Sequence, residues 1–430
     1  MILAIFLGLL IVLFVLGFSV PYAIGLTSLV VLIVERGITN IPFGIISQRM
    51  VYGVNNFTLL AIPFFLLAGK LMNTGSITKK IFKFANSLVG YLPGGLGHTN
   101  IVASIIFAGM SGSAVADAAG LGTIEIEAML DQGFDRDFSA AVTAASSTIG
   151  PIIPPSIPLI MYGVMGDVSI AALLLAGLVP GILMGLALMV LVAYYSLKRN
   201  YPRIPFPKLK EIWHDFKQAF WPLLTPVILI GGILTGVFTP TEASAVAVVY
   251  AFILTVLIYR ELTIKDLINI FIETIKETAV ILFIVAASSL YGWLLIKTQM
   301  PTLFMEKLFA ISQNPIVILL LLNVFFLVIG CFMETNAAII ILTPMMIPLA
   351  LKLGIDPVHL GMIMVLNLMI GLLTPPIGMC LYAVARVAKL NFDKMVKAVA
   401  PFYVPLFVVL ILITLFPQIV LFVPSLVLGY

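Results

Sequence analysis

The chain has 430 residues, is 62% hydrophobic and only 10% charged, and carries a formal net charge of +4. Soluble domains run near half apolar and about a quarter charged, so a soluble globular protein, a disordered chain and a disulfide scaffold are all excluded. At roughly 20 residues per span there is material for up to about a dozen membrane segments, and the expected class is an all-α polytopic membrane protein.

Apolar runs at 2–17 and 20–35, broken near Pro21, open the chain; with no positive n-region and no small-residue cleavage site, the first reads as a retained membrane helix. The segment 41–54 is too short and polar to span and reads as interfacial. A span follows at 57–74, then an amphipathic stretch at 76–92 with Lys79, Lys80 and Lys83. The run 97–130 is interrupted by GMSGSAVADAAGLG and 139–166 by GPIIPP, before a long run at 168–197. The most polar stretch, 198–217, holds six Lys/Arg and three prolines and reads as the linker between halves. Spans at 222–237 and 241–258, an amphipathic piece at 262–276, a span at 277–296 and a short piece at 301–312 come next. The run 315–352 is interrupted by GCFMETNAA and 357–387 by GLLTPPIG, and 398–426 closes the chain.

The halves match element by element. Sliding the chain by 221 positions superposes Gly109 on Gly330, Gly133 on Gly354, Asp135 on Asp356, Gly150 on Gly371 and Pro154-Pro155 on Pro375-Pro376, within 11 identities over the 54 positions 109–162. Shared residues at chain breaks, where backbone geometry dictates residue type, indicate an internal repeat. Basic residues favour the cytoplasm, which places 198–217, Lys79 to Lys83, and Arg386, Lys389, Lys394 and Lys397 on that side. All three groups fit if 97–130 and 315–352 are re-entrant hairpins. An odd number of crossings then separates the two tips, so the repeats are inverted, with both chain ends outside.

Non-helical backbone is tolerated at membrane depth only inside protein or beside water. Four interruptions meet that condition: hairpin tips at Ser111-Gly112-Ser113-Ala114 and Glu334-Thr335-Asn336-Ala337, and helix breaks at Gly150-Pro151 with Pro154-Pro155 and at Gly371 to Thr374-Pro375-Pro376. Paired broken helices of this kind mark secondary transporters. Freed carbonyls with the hydroxyls of Ser111, Ser113, Ser146, Ser147, Thr148, Thr335 and Thr374 suit a hard cation such as Na+, and freed N–H groups suit a carboxylate. Asn336 and Asn367 add amides able to touch both. Asp117 and Glu334 read either as ligands or as charges that hold the hairpins. Glu125, Glu127, Asp131, Asp135, Arg136 and Asp137 read as a solvated cytoplasmic rim. Cys331 and Cys380 lie in apolar runs and read as structural thiols, and His98, His214 and His359 lack metal-ligand spacing. No P-loop, HExxH or partnered nucleophile is present, so neither ATP nor a catalytic set is indicated.

The runs GMSGSAVADAAGLGTIEIEAML, AAVTAASSTIGPIIPPSIPLIMYG, CFMETNAAIIILTPMMIPLA, LNLMIGLLTPPIGMCLYAV and NNFTLLAIPFFLLAGKLM resemble the large membrane subunit of TRAP transporters across essentially the whole chain. The resemblance implies a multi-pass protein of the bacterial inner membrane with no cofactor other than a coupling ion. It implies Na+-driven uptake of an organic acid such as sialic acid or a C4-dicarboxylate by an elevator motion. The partners implied are a periplasmic substrate-binding protein, a small four-helix membrane subunit (expected as a separate chain, since no such segment precedes Met1) and membrane lipid, without nucleic acid. Carried over by motif, one Na+ sits among Ser111, Gly112, Ser113, Ala114, Ser147, Thr148 and Gly150, and a second among Gly330, Glu334, Thr335, Asn336, Gly371 and Thr374. The substrate carboxylate lies between the tips, near Ser113, Asn336, Pro154, Pro155, Asn367, Pro375 and Pro376. The interruptions assign 57–167 and 278–388 to a transport domain, and 1–56, 168–277 and 389–430 to a scaffold whose pieces 41–54 and 262–276 act as arms. The rival reading is a stand-alone Na+/carboxylate symporter without a binding protein.

Overall fold

A computed structural model describes residues 5–73 and 75–429; the first residues of the N-terminal run, Thr74 and Tyr430 lie outside the described residues. The described residues are almost entirely helical and contain no strand. Among the described residues seven helices are long and apolar enough to cross a membrane, and an eighth span arises if the pair Phe43–Val54 and Phe57–Met72, bent by 58°, is counted as one.

The first half holds α1 (Leu10–Val15), α2 (Val20–Arg36), α3 (Phe43–Val54), α4 (Ala61–Met72) and α5 (Gly75–Val89). It continues with α6 (Gly95–Ser111), α7 (Ala114–Ala119), α8 (Leu121–Asp131), α9 (Arg136–Ser147), α10 (Ile157–Gly166), α11 (Ile170–Ala176) and α12 (Leu178–Arg199). The second half holds α13 (Leu209–Leu234), α14 (Pro240–Phe252), α15 (Ile264–Lys297), α16 (Met300–Ile311), α17 (Pro315–Phe332) and α18 (Thr335–Leu353). It closes with α19 (Pro357–Gly371), α20 (Met379–Val387), α21 (Phe392–Val399), α22 (Tyr403–Leu415) and α23 (Pro417–Leu428).

The 221-residue offset carries over to the helix boundaries. Gly95–Ser111 shifts onto 316–332, which is α17 less one residue, and Phe43 shifts onto 264, the first residue of α15. All four interruptions are breaks. Gly112 turns with φ of 60°, and Ser113 then caps α7, its hydroxyl accepting from Ala116 N. Glu334 caps α18 by accepting from Ala337 N at 3.0 Å. Such caps satisfy N–H groups that a lipid-buried helix start would otherwise leave unpaired.

Three expected boundaries move. The linker is helical from Leu209, because the Glu211 carboxylate accepts from the Lys208 N–H at 3.0 Å and starts α13 there. The pieces 262–276 and 277–296 form one unbroken 34-residue helix, α15, which contains no proline. Its first-half counterpart does break, at Asn55-Asn56, where Asn56 caps a new turn by accepting from Thr58 N. The run 398–426 divides at Phe416-Pro417, since proline cannot supply the N–H that would continue α22.

The three basic groups meet at one end of the molecule. Lys83 pairs with Asp215 at 3.0 Å, Ile204 N donates to Gly90 O at 3.2 Å, Arg199 pairs with Asp135 at 2.8 Å, and Arg136 donates to Ala388 O at 3.1 Å. One face therefore collects the positive charge, as the positive-inside rule requires.

The second hairpin is held by a glycine-on-glycine contact. A Cβ added to Gly371 would lie 2.5 Å from the Gly330 carbonyl carbon, so α17 and α19 touch backbone to backbone. Gly371→Ala is expected to lower stability by about 1–3 kcal/mol, the range for overpacking a filled core, read as a fall in the thermal unfolding midpoint. Gly354→Ala, with open space around it but φ of 67°, should cost only its backbone strain.

Candidate transport site

The two tips and the two helix breaks converge, and each hairpin packs against the other repeat's broken helix: α7 lies on α20, and α18 lies on α10. At the first tip, Ser111 donates to Asp117 in a very short hydrogen bond. Asp117 is buried, its second oxygen Oδ2 has no partner, and a Cβ on Gly150 would lie 2.6 Å from that oxygen. A Cβ on Gly112 would strike the Pro155 carbonyl. Tip and break are thus locked together, and the expected first cluster (Ser111, Gly112, Ser113, Ala114, Ser147, Thr148 and Gly150) is one region. Ser147 and Thr148 donate to the carbonyls of Ala144 and Ala145 at 2.8 and 2.7 Å, which leaves their oxygen lone pairs available.

Glu125 departs from its expected place. It is 1% exposed, its Oε1 lacks a partner, and it lies within electrostatic reach of Asp117. The helix α8 turns this residue inward while Glu127 and Asp131 face out.

At the second tip, Asn336 Nδ2 donates to Glu334 Oε1 at 2.8 Å, and the Thr335 hydroxyl and Asn336 Oδ1 are buried without partners. Thr374 donates to Ile370 O at 2.9 Å and approaches Cys331 and Tyr403, so it sits behind the Gly330–Gly371 contact.

Between the tips lies a cavity of about 850 Å³. Of the residues expected near the substrate, Ser113 and Asn336 line it. Pro154, Pro155, Pro375, Pro376 and Asn367 do not. Pro154 and Pro155 face an apolar cleft beside Leu229 and Ile233, and the cavity wall carries Pro151 and Pro158 instead. Both proline pairs contain a cis peptide bond. Asn367 is fully buried and donates to Asn323 Oδ1 at 2.8 Å, while Asn323 donates to Thr414 at 3.0 Å; this chain ties α19 to α17 and α22.

The cavity also holds residues that sequence spacing did not single out: the turn Gly17–Pro21, the edge-to-face pair Tyr22 and Phe283 at 5.5 Å, and Lys276 with Glu277 on α15. Glu277 is paired with Lys70 at 2.8 Å and Glu334 is occupied as a cap. Lys276 has no ion pair among the described residues and is the free charge on the wall. Only its place within a continuous α15 could have pointed to it. No cluster of three His, Cys, Asp or Glu residues suited to a transition metal occurs among the described residues.

Asn367→Ala is expected to destabilise the protein by about 1–3 kcal/mol by leaving Asn323 Oδ1 unpaired, without changing substrate KM. Thermal unfolding and uptake kinetics on the same preparation separate the two effects.

Comparison with known proteins agrees with this architecture. The chain is similar to the sialic acid TRAP transporter large permease protein SiaM of Vibrio cholerae, 48% identical over 414 residues and covering 96% of each chain. It is similar to the C4-dicarboxylate TRAP transporter large permease protein DctM of Pseudomonas aeruginosa, 36% identical, covering 86% of this chain and 87% of that one. The fold matches the YdaH transporter of Alcanivorax borkumensis with a TM-score of 0.62 at 13% identity, over 87% of both chains. The family model for the DctM component of tripartite ATP-independent periplasmic transporters matches residues 7–419, and the chain belongs to that family, as a multi-pass protein of the bacterial inner membrane.

Proposed function

We propose that the chain carries out Na+-coupled uptake of an organic acid that a periplasmic binding protein delivers. The observation that carries the reading is the convergence of two hairpin tips with unpartnered buried oxygens on one cavity that holds a free cation, Lys276. Asp117 Oδ2 and Glu125 Oε1 are acidic oxygens in a low-dielectric core, where an unpaired charge is costly. A Na+ held by Asp117, Ser111 and the carbonyls near Ser147 to Gly150 supplies the missing countercharge. The second cluster, with Thr335, Asn336 and the Gly371 to Thr374 carbonyls, offers the neutral oxygens that a second Na+ takes. Coupling follows because bound cations hold the tips in the shape that frames the carboxylate.

The substrate class follows the nearer relative: a sugar acid of the sialic acid kind fits better than a C4-dicarboxylate, on 48% against 36% identity. The residues 57–167 and 278–388 move as the transport domain against 1–40, 168–260 and 389–430. The separate α3 and the first half of α15 serve as arms. Because α15 is continuous, the second arm is rigidly joined to the transport domain, whereas the first hinges at Asn55-Asn56. A small four-helix membrane subunit covers part of the scaffold.

The test is uptake of radiolabelled sialic acid into proteoliposomes holding this chain with its small subunit, with binding protein outside. Uptake that needs both an inward Na+ gradient and the binding protein supports the reading; uptake without the binding protein overturns delivery, and uptake without Na+ overturns coupling. In the same assay Asp117→Asn, which preserves shape, should raise the Na+ concentration for half-maximal uptake by about tenfold or more, the scale of one lost charge-assisted contact. Lys276→Gln should raise substrate KM roughly threefold to tenfold while leaving the Na+ dependence unchanged.

A further inference from the structure

At the basic end of the molecule a second cavity, about 560 Å³, opens between α9, the end of α12 and α21. Its carboxylates are already engaged. Asp135 is held by Arg199 at 2.8 Å and by the Tyr201 hydroxyl at 2.6 Å, and the Tyr201 contact holds its carboxyl below the usual carboxylate range. Asp137 lies 3.9 Å from Arg199. Its cations are not all engaged. Arg136 uses one nitrogen on the Ala388 carbonyl. Lys394 and Lys397 make no ion pair among the described residues. They project from one face of α21 while Met395 and Val399 bury the opposite face. The floor is aromatic: Phe138, Tyr195 and Phe402 pack ring against ring with centroids 6.1–6.5 Å apart, and the Arg199 guanidinium lies over the first two.

Free cations over an apolar floor, at the membrane face where positive charge collects, fit a ligand with a phosphate head and an apolar body. Basic pockets between helices on the cytoplasmic side take anionic lipid headgroups. We propose that this cavity binds the headgroup of an anionic glycerophospholipid, with Lys394, Lys397 and Arg136 on the phosphate and Phe402 beside the glycerol and upper acyl chain. The site does not depend on the transport reading. If the proposed division of the chain holds, the lipid sits across the seam between α9 of the moving part and α12 and α21 of the scaffold.

The experiment is native mass spectrometry of the full chain released from nanodiscs of mixed phosphatidylglycerol and phosphatidylcholine. Wild type should retain phosphatidylglycerol selectively. The double variant Lys394→Gln with Lys397→Gln should retain it about 25-fold less, at roughly fivefold per lysine near an anionic surface. Both lysines are exposed, so the unfolding midpoint of lipid-free protein should not move. A control, Lys198→Gln with Arg203→Gln, removes two charges from the same face outside the cavity and should retain lipid as wild type does. Equal loss in the control would reduce the effect to general surface charge and overturn the proposal. So would equal retention by both double variants, or displacement of the lipid by inorganic phosphate alone, which would make the ligand a free anion.

Discussion

Every backbone N–H and C=O at membrane depth must find a partner inside the protein, and the rest of this structure depends on that constraint. It explains why the four interruptions are packed against protein rather than facing lipid. The tip at Gly112 leans on the Pro155 carbonyl, and the break at Gly371 lies on the Gly330 backbone. A lone break in lipid would leave several groups unpaired. Two hairpins and two breaks, each packed against its counterpart, convert the same groups into a polar centre. The centre is therefore a by-product of repairing broken helices, and function uses what the repair leaves free.

What is left free is unequal. The first tip carries a buried carboxylate pair, Asp117 and Glu125, with two unpartnered oxygens. The second offers the neutral oxygens of Thr335 and Asn336, because Glu334 spends its carboxylate on the helix start. A repeat whose element boundaries match thus differs in electrostatics. The difference lies in single residues at matching positions: Asp117 faces Ala338, and Glu125 faces Met346.

Asymmetry also enters through the helix α3 and its counterpart, the first half of α15. Asn55 and Asn56 end one helix and cap the next, so the pair Phe43–Val54 and Phe57–Met72 bends by 58°. At the equivalent positions 276 and 277 stand Lys276 and Glu277, both good helix formers, and α15 runs straight through. The continuous helix brings Lys276 to the cavity wall and Glu277 to Lys70. A linear reading of hydropathy divided this helix, since its polar first half and apolar second half look like two elements. Composition changed there, but no residue stopped the helix.

The sequence by itself determined the class, the repeat, the four interruptions and the family. Each rests on residue types whose meaning is local: long apolar runs, and glycine and proline where only certain backbone angles are possible. It also placed Ser113 and Asn336 on the cavity, because they follow directly from the tips. Only the tertiary structure decided which side chains share a space. Asn367 was expected near the substrate from its place in the broken helix; it lies outside the cavity lining and donates to Asn323, which in turn donates to Thr414. The proline pairs looked like cavity walls and instead face an apolar cleft or lie outside the lining. Glu125 looked solvated beside its acidic neighbours and is buried within electrostatic reach of Asp117. The physical reason is the same in each case. Which face of a helix meets another is set by packing against segments far away in the chain, and spacing within one segment does not carry that information.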